Sequence, residues 1–180
     1  GSGKIIENIL SDAIVNFENE ITINNIDLYK KNFDAVVMTS SLDLFLDHNE
    51  KLEWRGIESK AEFYPTSSDE EKFTEAYQIN HPSLNDEFTR TIETKHASGQ
   101  LVSGTVVCKE YPVSGLRHYP VLNKDDSNTK LNNKLKEIIN KSVSLPVFFC
   151  GRLANYQYIN QDEAILQGFS AAKKLRNHFK

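Results

Sequence analysis

The sequence is short of the residues that several function classes require. Its two cysteines, Cys108 and Cys150, stand far apart and form no C-x-x-C pair. That excludes a disulfide scaffold or a cysteine zinc site and fits a reduced, cytoplasmic setting. No apolar run approaches the ~20 residues of a membrane helix. No secretory signal opens the chain, so membrane insertion is not expected. Basic residues are outnumbered, 21 Lys and Arg against 25 Asp and Glu, for a net charge of −4. With a pI near 5.8, this argues against nucleic acid as a partner, because phosphate backbones need a basic face. The five histidines, His48, His81, His96, His118 and His178, show no H-x-x-x-H or His–Cys spacing, so no metal site is expected. There is no G-x-S-x-G and no G-x-G-x-x-G, and Gly1-Ser2-Gly3-Lys4 lacks the upstream glycine and strand of a phosphate loop. Methionine occurs once, at Met38, and the first residue is Gly1. The expectation is a processed product or a fragment of a longer chain, with Gly1-Ser2-Gly3 either an added leader or a native flexible turn.

What is present suffices for a folded domain. A chain of 180 residues with 39% hydrophobic and 10% aromatic content can bury a core. Ile5, Ile6, Ile9 and Leu10 predict an amphipathic helix over 4–12, and Ile21 and Ile23 alternate as a short strand over 20–24. The run 33–38 (FDAVVM) suits a buried parallel strand, and a helical turn begins at Leu42. From Leu52 onward, the segments 52–57, 61–64, 73–80, 88–96 and 103–111 have β-type composition. Clusters of Pro, Ser, Asn and Asp separate them, which indicates an antiparallel sheet. The stretch 122–130 reads as a polar loop. Leu131, Leu135, Ile138 and Ile139 predict a surface helix, and 146–150 (PVFFC) a second buried strand. A long terminal helix spans 160–179, with Ala164, Ile165, Gly168, Ala171, Ala172, Leu175 and Phe179 along one stripe.

Three sets of residues are candidates for chemistry. Alternation places Arg90 on a strand face with Phe88 and Ile92, opposite Thr89, Thr91, Glu93 and Lys95. A guanidinium there needs an anion, either a carboxylate on a neighbouring strand or a phosphate or carboxylate ligand. Gly151-Arg152-Leu153 follows the second apolar run as a loop toward a helix start, where backbone N–H groups are free to meet a ligand. Asn160 and Glu163 have the spacing of a capping box, and Asp162 suits the helix dipole. Tyr111, Tyr119, Tyr156 and Tyr158 offer an apolar ring and a hydroxyl, fit either for packing or for lining a sugar or phosphate pocket. Tyr119 precedes Pro120 and is therefore biased to an extended backbone.

Taken in order, Leu52-Glu53-Trp54-Arg55, Thr89-Arg90-x-x-Glu93-x-Lys95-His96, Glu110-Tyr111-Pro112, Tyr119-Pro120-Val121 and Gly151-Arg152-Leu153-Ala154-x-Tyr156-x-Tyr158 resemble the C-terminal half of the UDP-galactopyranose mutase family. The resemblance implies a flavoenzyme that interconverts UDP-galactopyranose and UDP-galactofuranose with reduced FAD, whose N5 is the nucleophile toward the anomeric carbon, in cell-envelope polysaccharide synthesis. It implies that Arg90, Tyr119 and Tyr158 bind the substrate diphosphate, with Arg90 the residue closest to catalysis. Gly151, Arg152, Asn160 and Gln161 would then approach the flavin. Two departures from the family pattern stand out: Trp54 replaces a tyrosine, and Ile159-Asn160-Gln161 replaces Tyr-Asp-Met.

The expected fold class is α+β, an antiparallel sheet flanked by the returning strands and terminal helix of an FAD-binding, Rossmann-like α/β domain. Residues 1–48 and 146–180 would form the partial FAD-binding part and 49–145 the substrate-facing sheet. The isolated chain is expected to be inactive, a UDP-sugar is the expected partner, and a homodimer is left open. Two other functions fit the same residues: a non-catalytic sugar-nucleotide-binding module, or a flavin-dependent, amine-oxidase-like oxidoreductase.

Overall fold

The computed structural model describes residues 2–180, without the side chain of Ser2; Gly1, and with it the reading of Gly1-Ser2-Gly3, lies outside the described residues. The described residues form a mixed α+β structure, with one parallel pair of strands and one five-stranded antiparallel sheet.

The parallel pair is β1 (Val36–Met38) beside β7 (Val147–Phe149), in register Val36 to Val147 and Met38 to Phe149. Both come from the two apolar runs, as their composition suggests. The core lies beside them. Ile26, Met38, Leu42, Phe45 and Leu52 pack with Leu135, Ile139 and Val143 of the helix α4 (Ser127–Ser142). Leu135 and Ile139 are fully buried, so α4 is a core helix rather than a surface one, and it begins within the stretch read as a polar loop. The short α2 (Leu42–Phe45) follows β1.

The strand expected at 20–24 does not form. Asn25 Oδ1 accepts from Thr22 N at 2.8 Å, and Asn25 Nδ2 donates to Glu20 O at 2.8 Å. A local side-chain amide thus supplies the partners that a neighbouring strand would give, and the chain turns into a 3-10 helix at Ile26–Tyr29. The N-terminal helix α1 (Ser2–Ile9) ends one turn earlier than its pattern predicts.

The antiparallel sheet has the order β3 (Gln78–Asn80), β4 (Arg90–Glu93), β5 (Thr105–Val113), β2 (Trp54–Tyr64) and β6 (Tyr119–Pro120). The segments 52–57 and 61–64 are one continuous strand, β2 (Trp54–Tyr64), because Glu58, Ser59 and Lys60 pair without interruption with β5 (Thr105–Val113). Gly56 permits this course: a Cβ there would lie 2.7 Å from Leu116 Cβ and 2.8 Å from Val113 O. Of 73–80 only β3 (Gln78–Asn80) is strand, and β4 (Arg90–Glu93) gives way to a short helix, α3 (Lys95–Ser98). The last strand, β6 (Tyr119–Pro120), pairs Tyr119 with Arg55.

After β7 the chain enters a short helix, α5 (Gly151–Asn155), not the loop expected there, and it stops at Tyr156 in the left-handed region. The terminal helix α6 (Gln161–His178) is capped by Asn160 and Glu163 in the box that the sequence predicts. Its inward stripe is Ala164, Gln167, Ala171 and Leu175, whereas Ile165, Leu166, Phe169 and Phe179 are exposed. The stripe is rotated from the expected one because Gln167 turns inward to accept from Gly151 N at 2.9 Å. No helix among the described residues is long and apolar enough to cross a membrane.

Candidate functional site

Tyr156 joins the sheet to the parallel pair. It is buried, with its ring edge-on to Trp54 at 5.0 Å between centroids. Its hydroxyl donates to Glu53 O at 2.6 Å and accepts from Val121 N at 3.0 Å. Burial pushes this phenol up in pKa and keeps it neutral. The motif tyrosine with no role assigned from sequence is therefore a structural clamp.

Beside it lies a buried ion pair that sequence reasoning missed. Asp43, fully buried on α2, takes a bidentate contact from Arg117, with Nη1 to Oδ1 at 2.7 Å and Nη2 to Oδ2 at 2.8 Å. Leu52 N donates to the same carboxylate at 3.1 Å. Three donors compensate the desolvation of the buried carboxylate. Asp43 occupies a helix start and Arg117 a loop, and no local pattern links them.

Arg152 stands at the C-terminal end of β7, on α5. Its Nη1 donates to His118 O at 2.8 Å, and its Nε donates to Ile159 O at 3.2 Å with Nη2 on the same carbonyl. The guanidinium lies 5.6 Å from the ring centroid of Tyr119 and 5.2 Å from that of Tyr158, and the two rings are 5.3 Å apart. Three residues from two of the ordered motifs thus form one cationic, aromatic cluster. Carbonyls and ring faces share the charge without neutralising it, so the cluster suits an anionic, partly planar ligand. Tyr158 is 57% exposed, so the cluster is open to solvent.

The structure places Arg90 elsewhere on the sheet. The register aligns Arg90 with Glu110 and Ser59, and Tyr119 with Arg55, on the same face of the sheet. Three strand spacings, about 14 Å, and four residues, about 13 Å along the strand, separate the two. Arg90 Nη1 lies 3.3 Å from Glu110 Oε2, and Nε donates to Asn80 Oδ1 at 3.3 Å. The neighbouring-strand carboxylate considered for Arg90 is therefore present as Glu110. Glu110 Oε2 makes no hydrogen bond despite its burial, so the pair is close but poorly aligned.

The side of β4 with the polar residues turns out to be the buried one. Glu93 has no exposed surface and accepts from Thr74 N at 2.7 Å, Thr74 Oγ1 at 2.6 Å, Thr105 Oγ1 at 2.7 Å and Phe73 N at 3.0 Å. Burial alone raises its pKa, but these hydrogen bonds outweigh it and hold the carboxyl at about 2. They also explain the loss of the strand at 73–77, whose N–H groups serve a carboxylate. Lys95 Nζ donates to Val102 O at 2.8 Å and Gly104 O at 3.1 Å. His96 Nε2 lies 2.9 Å from Thr74 O. Of the Thr-Arg-x-x-Glu-x-Lys-His motif, the arginine faces the open side of the sheet while Glu93, Lys95 and His96 hold two loops. Over that open side Ala61 and Ser59 are exposed, Phe63 is 66% exposed and Val106 42%.

Of the residues expected to approach a flavin, Gly151 has φ +87 and no atom within 4 Å of the place a Cβ would take. Arg152 is the cluster cation, Asn160 caps α6, and Gln161 is exposed at its first turn.

A family model described as UDP-galactopyranose mutase matches residues 1–158 of the 180. The chain belongs to the UDP-galactopyranose mutase family. The match includes all five ordered motifs through Tyr158, Trp54 among them, and stops before Ile159-Asn160-Gln161.

Proposed function

We propose that this chain is part of a UDP-galactopyranose mutase-like flavoenzyme that interconverts UDP-galactopyranose and UDP-galactofuranose. The observation that carries the reading is the cluster of Arg152, Tyr119 and Tyr158 at the C-terminal end of β7, on the open face of the sheet that also bears Arg90. Crevices beyond the carboxyl ends of parallel strands are where α/β layers take nucleotides. In this reading β1, β7 and the helices around them are the returning part of an FAD-binding, Rossmann-like layer. Arg90, Tyr119 and Tyr158 receive the diphosphate, for which a planar arginine fork is suited.

Reduced FAD, when bound, supplies the nucleophile toward the anomeric carbon of the sugar. The residues present fit such a group. Gly151 leaves its backbone open to close approach, and Ser41 Oγ, at the corresponding end of β1, is buried without a hydrogen-bond partner. Arg152 would set the charge beside the ring system, with Asn160 and Gln161 at the adjoining helix start. Because Asn160 brings no charge, its contribution there is a hydrogen bond or the cap alone.

The test is the visible absorption spectrum of the protein expressed from its own initiator. Bound flavin is expected, with mutase turnover on UDP-galactofuranose only after flavin reduction. A colourless, folded protein that does not take up FAD overturns the reading and leaves a sugar-nucleotide-binding module. Net oxidation of an amine substrate leaves the oxidase.

A further inference from the structure

A second polar concavity lies between the helices α4 and α6. A cavity of about 440 Å³ between α4 and α6 is lined by Lys136, Lys174, Ser170 and the aromatic side chains of β7. It adjoins a groove of about 710 Å³, with Lys136, Asn155 and Gln167 lining both and with Glu163 and Tyr158 on the groove side only. Lys136 is half-buried and its ammonium donates to one neutral acceptor, Asn155 Oδ1, at 2.9 Å. Among the described residues neither Lys136 nor Lys174 has a carboxylate within 4.0 Å. Burial, and then the charge of Lys174, lower the pKa of Lys136. Two like charges share the smaller cavity, whose lining holds no carboxylate, an arrangement that costs free energy until an anion arrives.

The amides around Lys136 fix its position. Asn155 Nδ2 donates to Gln167 Oε1 at 2.9 Å, and Gln167 Nε2 donates to Gln157 Oε1 at 2.9 Å. A separate observation comes from the groove's wall. Asn132 is 2% exposed, donates Nδ2 to Ala154 O at 3.3 Å, and leaves Oδ1 buried without a donor. It sits one helical turn before Lys136 on α4, so an unmet acceptor and an unmet cation lie on the same helix face. From this juxtaposition we infer that the α4–α6 groove is a second binding site, for a phosphate monoester on a small hydroxyl-bearing molecule. The phosphate meets Lys136 and Lys174, and a hydroxyl donates to Asn132 Oδ1. The groove reaches Tyr158 of the Arg152 cluster at one end, but the phosphate partners Lys136 and Lys174 line the cavity at the other end and belong neither to that cluster nor to the strand of Arg90.

The test uses the whole chain and glycerol 3-phosphate as the probe, read by the side-chain amide resonances of Asn132, Asn155 and Gln167. Saturable shifts of these resonances are expected, and they should be absent in sodium chloride of matched ionic strength. Changing Lys136→Met and Lys174→Met together should weaken the apparent affinity by about tenfold or more, the size of a lost charge-assisted contact. Lys174→Met alone, at an exposed position, should weaken it severalfold and guards against misfolding of the double variant. Shifts that fail to saturate, that persist unchanged in both variants, or that fall only on the Arg152 cluster overturn the inference.

Discussion

The two faces of β4 are built on opposite terms. One face carries Thr91 and Glu93, both buried, with every Glu93 oxygen hydrogen-bonded and Thr91 Oγ1 2.9 Å from His81 Nε2. The other carries Arg90 and Ile92, half-buried beside exposed residues of β2 and β5, with an ion pair that is close but misaligned. A satisfied buried network holds loops in one arrangement. A cation left partly unsatisfied on an open face remains available to a ligand. Four residues of one strand thus separate a closed, satisfied face from an open one, and polarity alone does not say which face is which.

The buried polar contacts should fail hardest when one partner is removed. Asp43→Ala leaves Arg117 without its carboxylate, and urea denaturation should show a loss of about 3–5 kcal/mol, the range for breaking a buried pair. A loss under about 1 kcal/mol would mean that the pair is not formed in solution. Glu93→Gln should cost about 3 kcal/mol at neutral pH, from a carboxyl held at about 2 instead of 4.5. The sign follows from linkage. A depressed carboxylate contributes fully above its unfolded pKa and loses that contribution as pH falls through the folded one. The stability gap between the two proteins should therefore close between about pH 5 and pH 2; a gap constant across that window would assign Glu93 a role in packing only.

The open face should behave the other way round. Arg90→Ala should change stability by about 1 kcal/mol or less, because a partly exposed ion pair contributes little. In the complete enzyme it should weaken UDP binding by about 1.5–3 kcal/mol in calorimetric titration. Large destabilisation with unchanged UDP affinity would make Arg90 a partner of Glu110 and nothing more. The smallest effect belongs to α6: Asn160→Ala should cost about 1 kcal/mol through the lost cap, and Asn160→Asp should restore it. Flavin affinity that drops with Asn160→Ala and recovers with Asn160→Asp, beyond the change in stability, would give Asn160 a ligand role besides capping.

Much of this molecule follows from short-range pattern. The runs 33–38 and 146–150 become β1 and β7 because short apolar runs rich in Val and Phe favour strands, although the burial expected of them is incomplete: Val37 is 45% exposed and β7 is half-buried. Asn160 and Glu163 cap α6 because their spacing satisfies backbone N–H groups locally. The antiparallel sheet and the order of the motifs were legible for the same reason. Where local pattern misled, a long-range partner or a side-chain competitor decided. Asn25 displaced a strand at 20–24, and Glu93 drew the N–H groups of Phe73 and Thr74 out of another.

What the chain's residues determined by themselves was the two apolar strands, the antiparallel character of the sheet, the capped terminal helix and the family. Only the tertiary structure decided that the polar side of β4 is the inner one, that Arg90 meets Glu110, and that Asp43 and Arg117, 74 positions apart, form a pair. It also decided that Arg152 gathers Tyr119 and Tyr158 around it. The physical reason is one of range. Periodicity and capping act over a few residues, whereas the burial of a charge depends on which distant donors the strand register and loop packing bring to it.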